Sequence, residues 1–348
     1  MMEHKGYVGK AKIDEEASIL YGEVINIRDV ITFEGISVEE VERAFRESVD
    51  DYLSFGTECG ENPEKPFTDS FIRYLQAKKK IDDRALNGYV YSQFQQAVAA
   101  LPAPVRFLEV GAGIGTMLDR LIERGALTHA DYTAVDQEAA AVAWGKTRLP
   151  AWQQTAPHVT VTWETVDAYA FIQREQGRRQ WDVLLAHAFL DLVALPRFVP
   201  AFLSLLRPGG YGYFTLNFDG ATLFEPPIDP ELDALIEQLY HLDMDNRTVN
   251  GQPSGDSHTG RHLFGVLQDA GMEILAAGSS DWVVFPPFSA DDAYFLHHIL
   301  HTIHHALRGH ALLDEAQFEA WIARRHEQVE TGKLVYMTHQ LDFLARKL

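Results

Sequence analysis

Phe107-Leu108-Glu109-Val110-Gly111-Ala112-Gly113-Ile114-Gly115 is the stretch on which the fold turns. Residues 105–110 form a short, nearly continuous apolar run, the pattern of a strand covered on both faces. Three glycines at alternate positions follow, and a helical pattern begins at Met117 and runs to Arg124. A glycine turn at the C-terminal end of a strand lets a ligand approach the backbone with no Cβ in the way. The spacing is not that of the dinucleotide fingerprint, whose third glycine would stand where this chain has Thr116. Outward from the turn, strand patterns at 132–135, 159–166, 181–186 and 211–216 alternate with helical ones at 139–148 and 200–206. Alternation at this spacing predicts a doubly wound, mostly parallel α/β sheet.

Three further features follow in order. Asp136 ends the second strand, 25 residues after Gly111, where a carboxylate can accept hydrogen bonds from both hydroxyls of a ribose. Asp167 and Ala168 follow the third strand, and Leu206-Arg207-Pro208-Gly209-Gly210 precedes the fifth. Together these residues resemble the class I S-adenosylmethionine-dependent methyltransferases, over residues 105–220 at least. The resemblance implies a seven-stranded Rossmann-like sheet and S-adenosyl-L-methionine as cofactor, with S-adenosyl-L-homocysteine as product. It also implies that Gly111, Gly113 and Gly115 pass under the amino-acid end of the cofactor, that Asp136 holds the ribose, and that Asp167 and Ala168 meet the adenine. Glu109 and His187 complete the implied cofactor set. A nicotinamide dehydrogenase is the rival enzyme, disfavoured by Thr116 and the Pro-Gly-Gly element.

Beyond Gly220 a helical pattern at 226–246 leads to a polar stretch, Asn250–Thr259, that reads as a loop. A helix at 261–270 and a strand at 272–277 come next, and 333–343 suits an antiparallel last strand. Residues 284–332 then read as a helical insertion capping the crevice, which fits a small substrate shielded from water. His187, directly past the fourth strand, is the candidate catalytic residue, because ligands bind at the C-terminal ends of strands in open α/β sheets. Asp191 reads as the N-cap of the next helix. Asn217 and Asp219, past the fifth strand, together with Tyr240, Arg261 and His262, are the candidate substrate-binding residues; Arg261 could clamp a carboxylate or phosphate, or form an ordinary ion pair. The histidines at 297, 298, 301, 304, 305 and 310 include ligand spacing on a helix. The arc of the first five lies opposite the apolar one, so they read as facing outward or into the mouth of a capped cleft, and no metal site is expected.

Ahead of this domain, 5–13 and 19–34 read as short antiparallel strands. Ser37 with Glu40 is a capping-box pattern, followed by Val41, Phe45, Val49 and Tyr52 at helical spacing. The run GEVINIRDVITFEGISVEEVERAFRESVDDYLSF, followed by GENPEKPF, resembles the N-terminal domain of HicB antitoxins over residues 5–67. That resemblance implies a partial ribonuclease-H-like fold that sequesters a HicA-type toxin ribonuclease. The sequence after Phe67, TDSFIRYLQAKKKIDDRALN, resembles no ribbon-helix-helix or helix-turn-helix. The expected division is a HicB-like α+β module at 1–66 and a methyltransferase domain at 67–348, opening with helices at 67–101.

Composition bounds the rest. Of a net charge of −20, half falls in the first 70 residues, which hold 17 acidic and 7 basic side chains. That balance argues against a nucleic-acid partner, whose phosphates need a basic footprint. No apolar run reaches the roughly 18–20 residues of a membrane span. The single cysteine, Cys59, excludes internal disulfides and cysteine cages. The expectation is a cytoplasmic methyltransferase acting on a small-molecule acceptor, the alternative being a binding protein in which the first module neutralises a toxin and the second is a scaffold or sensor.

Overall fold

The computed structural model describes residues 2–5, 7–14, 19–24, 31–59, 70–249 and 252–348. The chain divides into two compact units, Met1–Gln76 and Ala77–Leu348. In the first, strands β1 (Met2–His4), β2 (Tyr7–Asp14), β3 (Ile19–Val24) and β4 (Thr32–Gly35) form an antiparallel sheet in sequence order, followed by helix α1 (Val38–Cys59). The helix starts where the capping pattern stands: the Glu40 N–H donates to Ser37 Oγ at 3.2 Å, and the Glu40 carboxylate accepts from Ile36 N–H at 3.0 Å. Val41, Phe45 and Val49 of α1 are buried with Tyr7, Val24, Ile31 and Phe33. The Phe33 and Phe45 rings meet edge-on at 5.2 Å. Of the HicB-like run, 25–30 and 60–67 lie outside the described residues.

The second unit begins within α2 (Ser70–Ala85) and continues through α3 (Gly88–Ala99). Strand and helix then alternate: β5 (Val105–Val110), α4 (Thr116–Glu123), β6 (Ala130–Asp136), α5 (Ala139–Thr147), α6 (Leu149–Thr155), β7 (Val159–Thr165), α7 (Ala168–Glu175), β8 (Trp181–His187), α8 (Leu195–Leu203) and β9 (Leu206–Glu225). Next come α9 (Pro230–Asp245), the two-residue strands β10 (Thr248–Val249) and β11 (Gln252–Pro253), α10 (Thr259–Asp269), β12 (Met272–Ser279), β13 (Trp282–Val284), α11 (Ala290–Leu307), α12 (Glu315–Glu330) and β14 (Val335–Lys347). The main sheet runs β12-β14-β9-β8-β5-β6-β7, with β7 through β9 parallel and β14 antiparallel to both its neighbours. The doubly wound sheet is therefore as expected. Its seven strands are joined by the short β13, which pairs with β14.

Both faces are covered, which is why β5 and β8 are mostly apolar and carry no alternating polar face. Phe107 faces a core built with Val90, Phe94, Met117, Leu121 and Trp152 of α3, α4 and α6. Leu108 and Val110 face the opposite core of Phe171, Phe198, Phe202, Leu263 and Leu267 from α7, α8 and α10. Three expectations need correction. The fifth strand does not stop at Leu216: β9 continues to Glu225 because β14 pairs along it, so Asn217 and Asp219 lie inside a strand. Asp191 sits in a 3-10 turn, Leu190–Leu192, and the residue capping α8 is Ala194, with a proline in the first turn behind it. The histidine face of α11 is not simply outward: His297 meets His326 at 2.6 Å and His304 meets Glu319 at 2.6 Å, both across to α12.

Gly115 caps α4 in the left-handed region, φ +85°, and a Cβ there would stand 2.9 Å from Trp152 and 3.0 Å from Trp163. Gly125 also has positive φ but open space around it. Gly115→Ala is expected to destabilise the domain by roughly 2–4 kcal/mol, backbone strain and overpacking combined. Gly125→Ala should cost about 1–2 kcal/mol from strain alone. Urea unfolding followed by circular dichroism separates the two; equal losses would show that the tryptophan contact is not the cause.

Candidate functional site

The strand order reverses between β5 and β8, so the loops after these two strands flank a crevice at the C-terminal edge of the sheet. The glycine turn leaves β5 here. Gly111 and Gly113 have φ of +65° and +53°, a region that side-chain-bearing residues rarely adopt. A Cβ on Gly111 would stand 2.3 Å from the Phe189 ring. From the end of β6, Asp136 reaches the same turn: its Oδ2 accepts from Gly113 N–H at 2.7 Å and its Oδ1 from Glu138 N–H at 2.9 Å. The carboxylate is half-buried and fixed by backbone, with acceptor capacity left on each oxygen. Gly115, two residues on, turns toward the Trp152–Trp163 pair instead.

The other residues singled out in the sequence are distributed unevenly. Asp167 is exposed and caps α7, its Oδ1 accepting from Ala170 N–H at 2.9 Å, while Ala168 behind it is buried. Glu109 is wholly buried and accepts from Tyr132 Oη at 2.6 Å. Asn217 is buried, its Nδ2 donating to the Leu341 carbonyl at 2.8 Å. Arg261 is committed to Asp219, with Nε at 2.7 Å, so the ordinary ion pair is what forms there. His262 meets Asp256 at 2.8 Å. Tyr240 lines a cavity of about 170 Å³ among Thr222, Phe224, Ile236, Ile303 and Trp321, beyond the parallel part of β9.

His187 stands at the crevice end of β8 but is buried in a charged network that the sequence did not announce. Its Nδ1 lies 2.7 Å from Thr215 Oγ1, and its Nε2 lies 2.8 Å from Nη1 of Arg120, the nearer neighbour, and 3.2 Å from Asp82 Oδ2. Arginine can only donate, so Nε2 is an acceptor and the ring is neutral with its proton on Nδ1. Burial first, then the charge of Arg120, push this imidazole down to about 4. With both nitrogens engaged, His187 has none free for a substrate proton. Arg120, fully buried on α4, also pairs with Asp83 and lies 3.4 Å from Asp82. Asp82 further accepts from Lys78 at 2.7 Å and from Trp282 Nε1 at 3.0 Å. Burial opposes its charge, but the ammonium of Lys78 and the guanidinium of Arg120 hold it well below the usual carboxylate range. The one sequence signal of this network was a charged residue, Arg120, inside the apolar stripe of Met117, Leu118 and Leu121.

Glu109 gives the site a pH signature. Burial pushes its carboxyl up to about 8, against the hydrogen bond from Tyr132. A raised carboxyl contributes stability below its ordinary value near 4.5 that is lost as pH rises through about 8. His187 acts oppositely, its contribution being lost as pH falls from 6.5 toward about 4. Between pH 6.5 and 8 the contribution of Glu109 falls by about 2 kcal/mol. Urea unfolding at these two pH values should show that slope in the wild type and its absence in Glu109→Gln; a persisting slope would place its origin elsewhere.

Residues 108–211, from β5 to the middle of the sheet, match a family described as a methyltransferase domain. No curated protein matches the sequence. Among solved structures, the chain is similar to a SAM-dependent methyltransferase from Thiobacillus denitrificans in complex with S-adenosyl-L-homocysteine, at 14% identity over 77% of this chain and 97% of that one, TM-score 0.42. It is also similar to a SAM-dependent methyltransferase from Geobacter sulfurreducens in the same kind of complex, at 14% identity over 76% and 93%, TM-score 0.41. Likeness at this level says nothing of this chain's substrate. The segment that matches the methyltransferase-domain model, 108–211, includes the glycine turn and Asp136.

Proposed function

We propose that the protein transfers a methyl group from S-adenosylmethionine to a small-molecule acceptor. The observation that carries this reading is the pairing of Asp136 with Gly113 N–H at the crevice. The residues present fit the cofactor: bare glycine backbone offers close approach, and a backbone-fixed carboxylate at the second strand's end retains acceptor sites suited to ribose hydroxyls. When bound, S-adenosylmethionine supplies a methyl group made electrophilic by its sulfonium. What remains for the chain is alignment and exclusion of water, and positioning alone can lower a barrier by up to about 7–11 kcal/mol. Phe189 supplies an apolar wall over Gly111, and the network of Arg120, Asp82 and Lys78 holds the end of α2 against β8 and α4. Since His187 is locked as a hydrogen-bond acceptor, the acceptor molecule best suited to this site brings a nucleophile that needs no histidine base. Net charge of −20 supports a small acceptor over a nucleic acid. No helix among the described residues is long and apolar enough to cross a membrane.

A second reading concerns the first unit. Its antiparallel sheet covered by one amphipathic helix supports the HicB-like assignment and, with it, capture of a HicA-type toxin. Both readings have direct tests. Calorimetry with S-adenosylhomocysteine should give micromolar binding to the full-length protein and at least about tenfold weaker binding, ~1.4 kcal/mol, to Asp136→Ala. No binding to the folded wild type would overturn the cofactor reading. Co-expression of the full chain with a tagged HicA-type toxin should co-purify the two; failure of the toxin to retain the chain would remove the second reading.

A further inference from the structure

Where β9 runs on past its parallel part, it meets three helices around a cavity of about 170 Å³. Thr222 and Phe224, two positions apart, reach it from one face of the strand. Asp233, Ile236, Glu237 and Tyr240 reach it from α9, where steps of three and four residues put them on one face of the helix. Ile303 of α11 and Trp321 of α12 complete the wall, and Ala234, exposed to solvent, stands at the rim. A cavity of about 150 Å³ suffices for a single aromatic ring.

The unusual member of this wall is a carboxylate on a face that packing alone would make apolar. Glu237 is half-buried, and its Oε1 accepts from Thr222 N–H at 2.8 Å. No hydrogen bond from the described residues reaches its Oε2, and none of their ion pairs includes Glu237. Asp233, one turn earlier, is the contrast. Its Oδ1 meets Arg325 Nη2 at 2.6 Å and accepts from Trp321 Nε1 at 2.6 Å. That arginine is committed further, to the Pro226 carbonyl at 2.7 Å. His241 lies 3.0 Å from Thr222 Oγ1, and burial pushes its imidazole down, toward the neutral form. The protein therefore supplies Glu237 with no cation. A carboxylate held among apolar walls is costly until one pairs with it.

We propose that this cavity binds a small organic amine, protonated at neutral pH, with its ammonium on Glu237 and its apolar body against Phe224, Ile236, Ile303 and Trp321. An apolar enclosure in which one charged group fixes orientation is the usual build of a small-ligand site. Anions are excluded by Glu237 itself and by Glu225, which also lines the cavity. The site is separate from the crevice. Thr222 stands seven residues along β9 from Thr215, the last residue to pair with β8, or up to about 23 Å of strand. A bound amine joins β9 and α9 to α11 and α12, a role independent of methyl transfer.

The test is a ligand-detected NMR titration of the full-length protein with benzylamine, benzyl alcohol and benzoate, which share a ring and differ in charge. Benzylamine should bind with a Kd of roughly 0.1–1 mM, as so few heavy atoms allow. It should bind at least about tenfold more tightly than the alcohol, since its hydrogen bond to the carboxylate is charged on both sides. Benzoate should not bind. Glu237→Gln keeps an oxygen for Thr222 N–H and should bring the amine down to the affinity of the alcohol. Ala234→Phe changes an exposed position, should fold normally, and should block amine and alcohol alike by filling the mouth. No binding of benzylamine at about 10 mM, well above that range, would overturn the proposal. So would equal binding of amine and alcohol, an amine preference that survives Glu237→Gln, or wild-type binding in Ala234→Phe.

Discussion

A guanidinium with no access to water governs how the second unit is put together. Burying the charge of Arg120 costs several kcal/mol unless partners surround it, and the partners come from two other elements. Asp82 and Asp83 arrive on α2, His187 at the end of β8, and the Lys79 carbonyl from the turn of α2 in between. Each partner is then constrained in turn. His187 must stay neutral to accept from Arg120, and Asp82 must stay charged to balance both Arg120 and Lys78. Trp282 donates to the same Asp82, which draws the short β13 to α2. One buried cation therefore ties α2, α4, β8 and β13 together around the crevice.

A second buried acid shapes the sheet on the other side. Asp342 of β14 accepts from Leu216 N–H and from Asn87 N–H, both at 2.8 Å. Burial pushes its carboxyl up to about 6. Leu216 has φ +55°, a strained conformation for a leucine, and Asp342 is the group bonded to its N–H there. The kink falls where β9 passes from pairing with β8 to pairing with β14 alone. Beyond it β9 continues to Glu225 and leads into α9, against which α11 packs, so the cavity among β9, α9, Ile303 and Trp321 is set by this junction.

The glycine turn divides its work. Gly111 makes room for the Phe189 ring, and Gly113 N–H fixes Asp136 at the crevice. Gly115 has the different task of letting α4 lie against two tryptophans. A spacing that looks like one motif is thus two constraints, one toward ligand and one toward packing. The substrate-side residues show the opposite pattern. Arg261, His262 and Asn217 looked available in sequence, but each spends its polar atoms on a neighbour in the fold: Asp219, Asp256 and the Leu341 carbonyl.

What the sequence by itself determined is what depends on near neighbours. The apolar run of β5, the glycine turn, the placing of Asp136 at a strand end, and the stripe of Val41, Phe45 and Val49 follow from periods of two and 3.6 residues and from backbone sterics. These local rules sufficed for the doubly wound sheet and for the position of its crevice. Only the tertiary structure decided the rest, because it depends on pairs far apart in the chain. Arg120 meets Asp82 and His187, and β14 lengthens β9 past Asn217 and Asp219. No local period encodes such meetings. They are fixed by which buried charges must find a partner once the sheet has closed, and that requirement exists only in three dimensions.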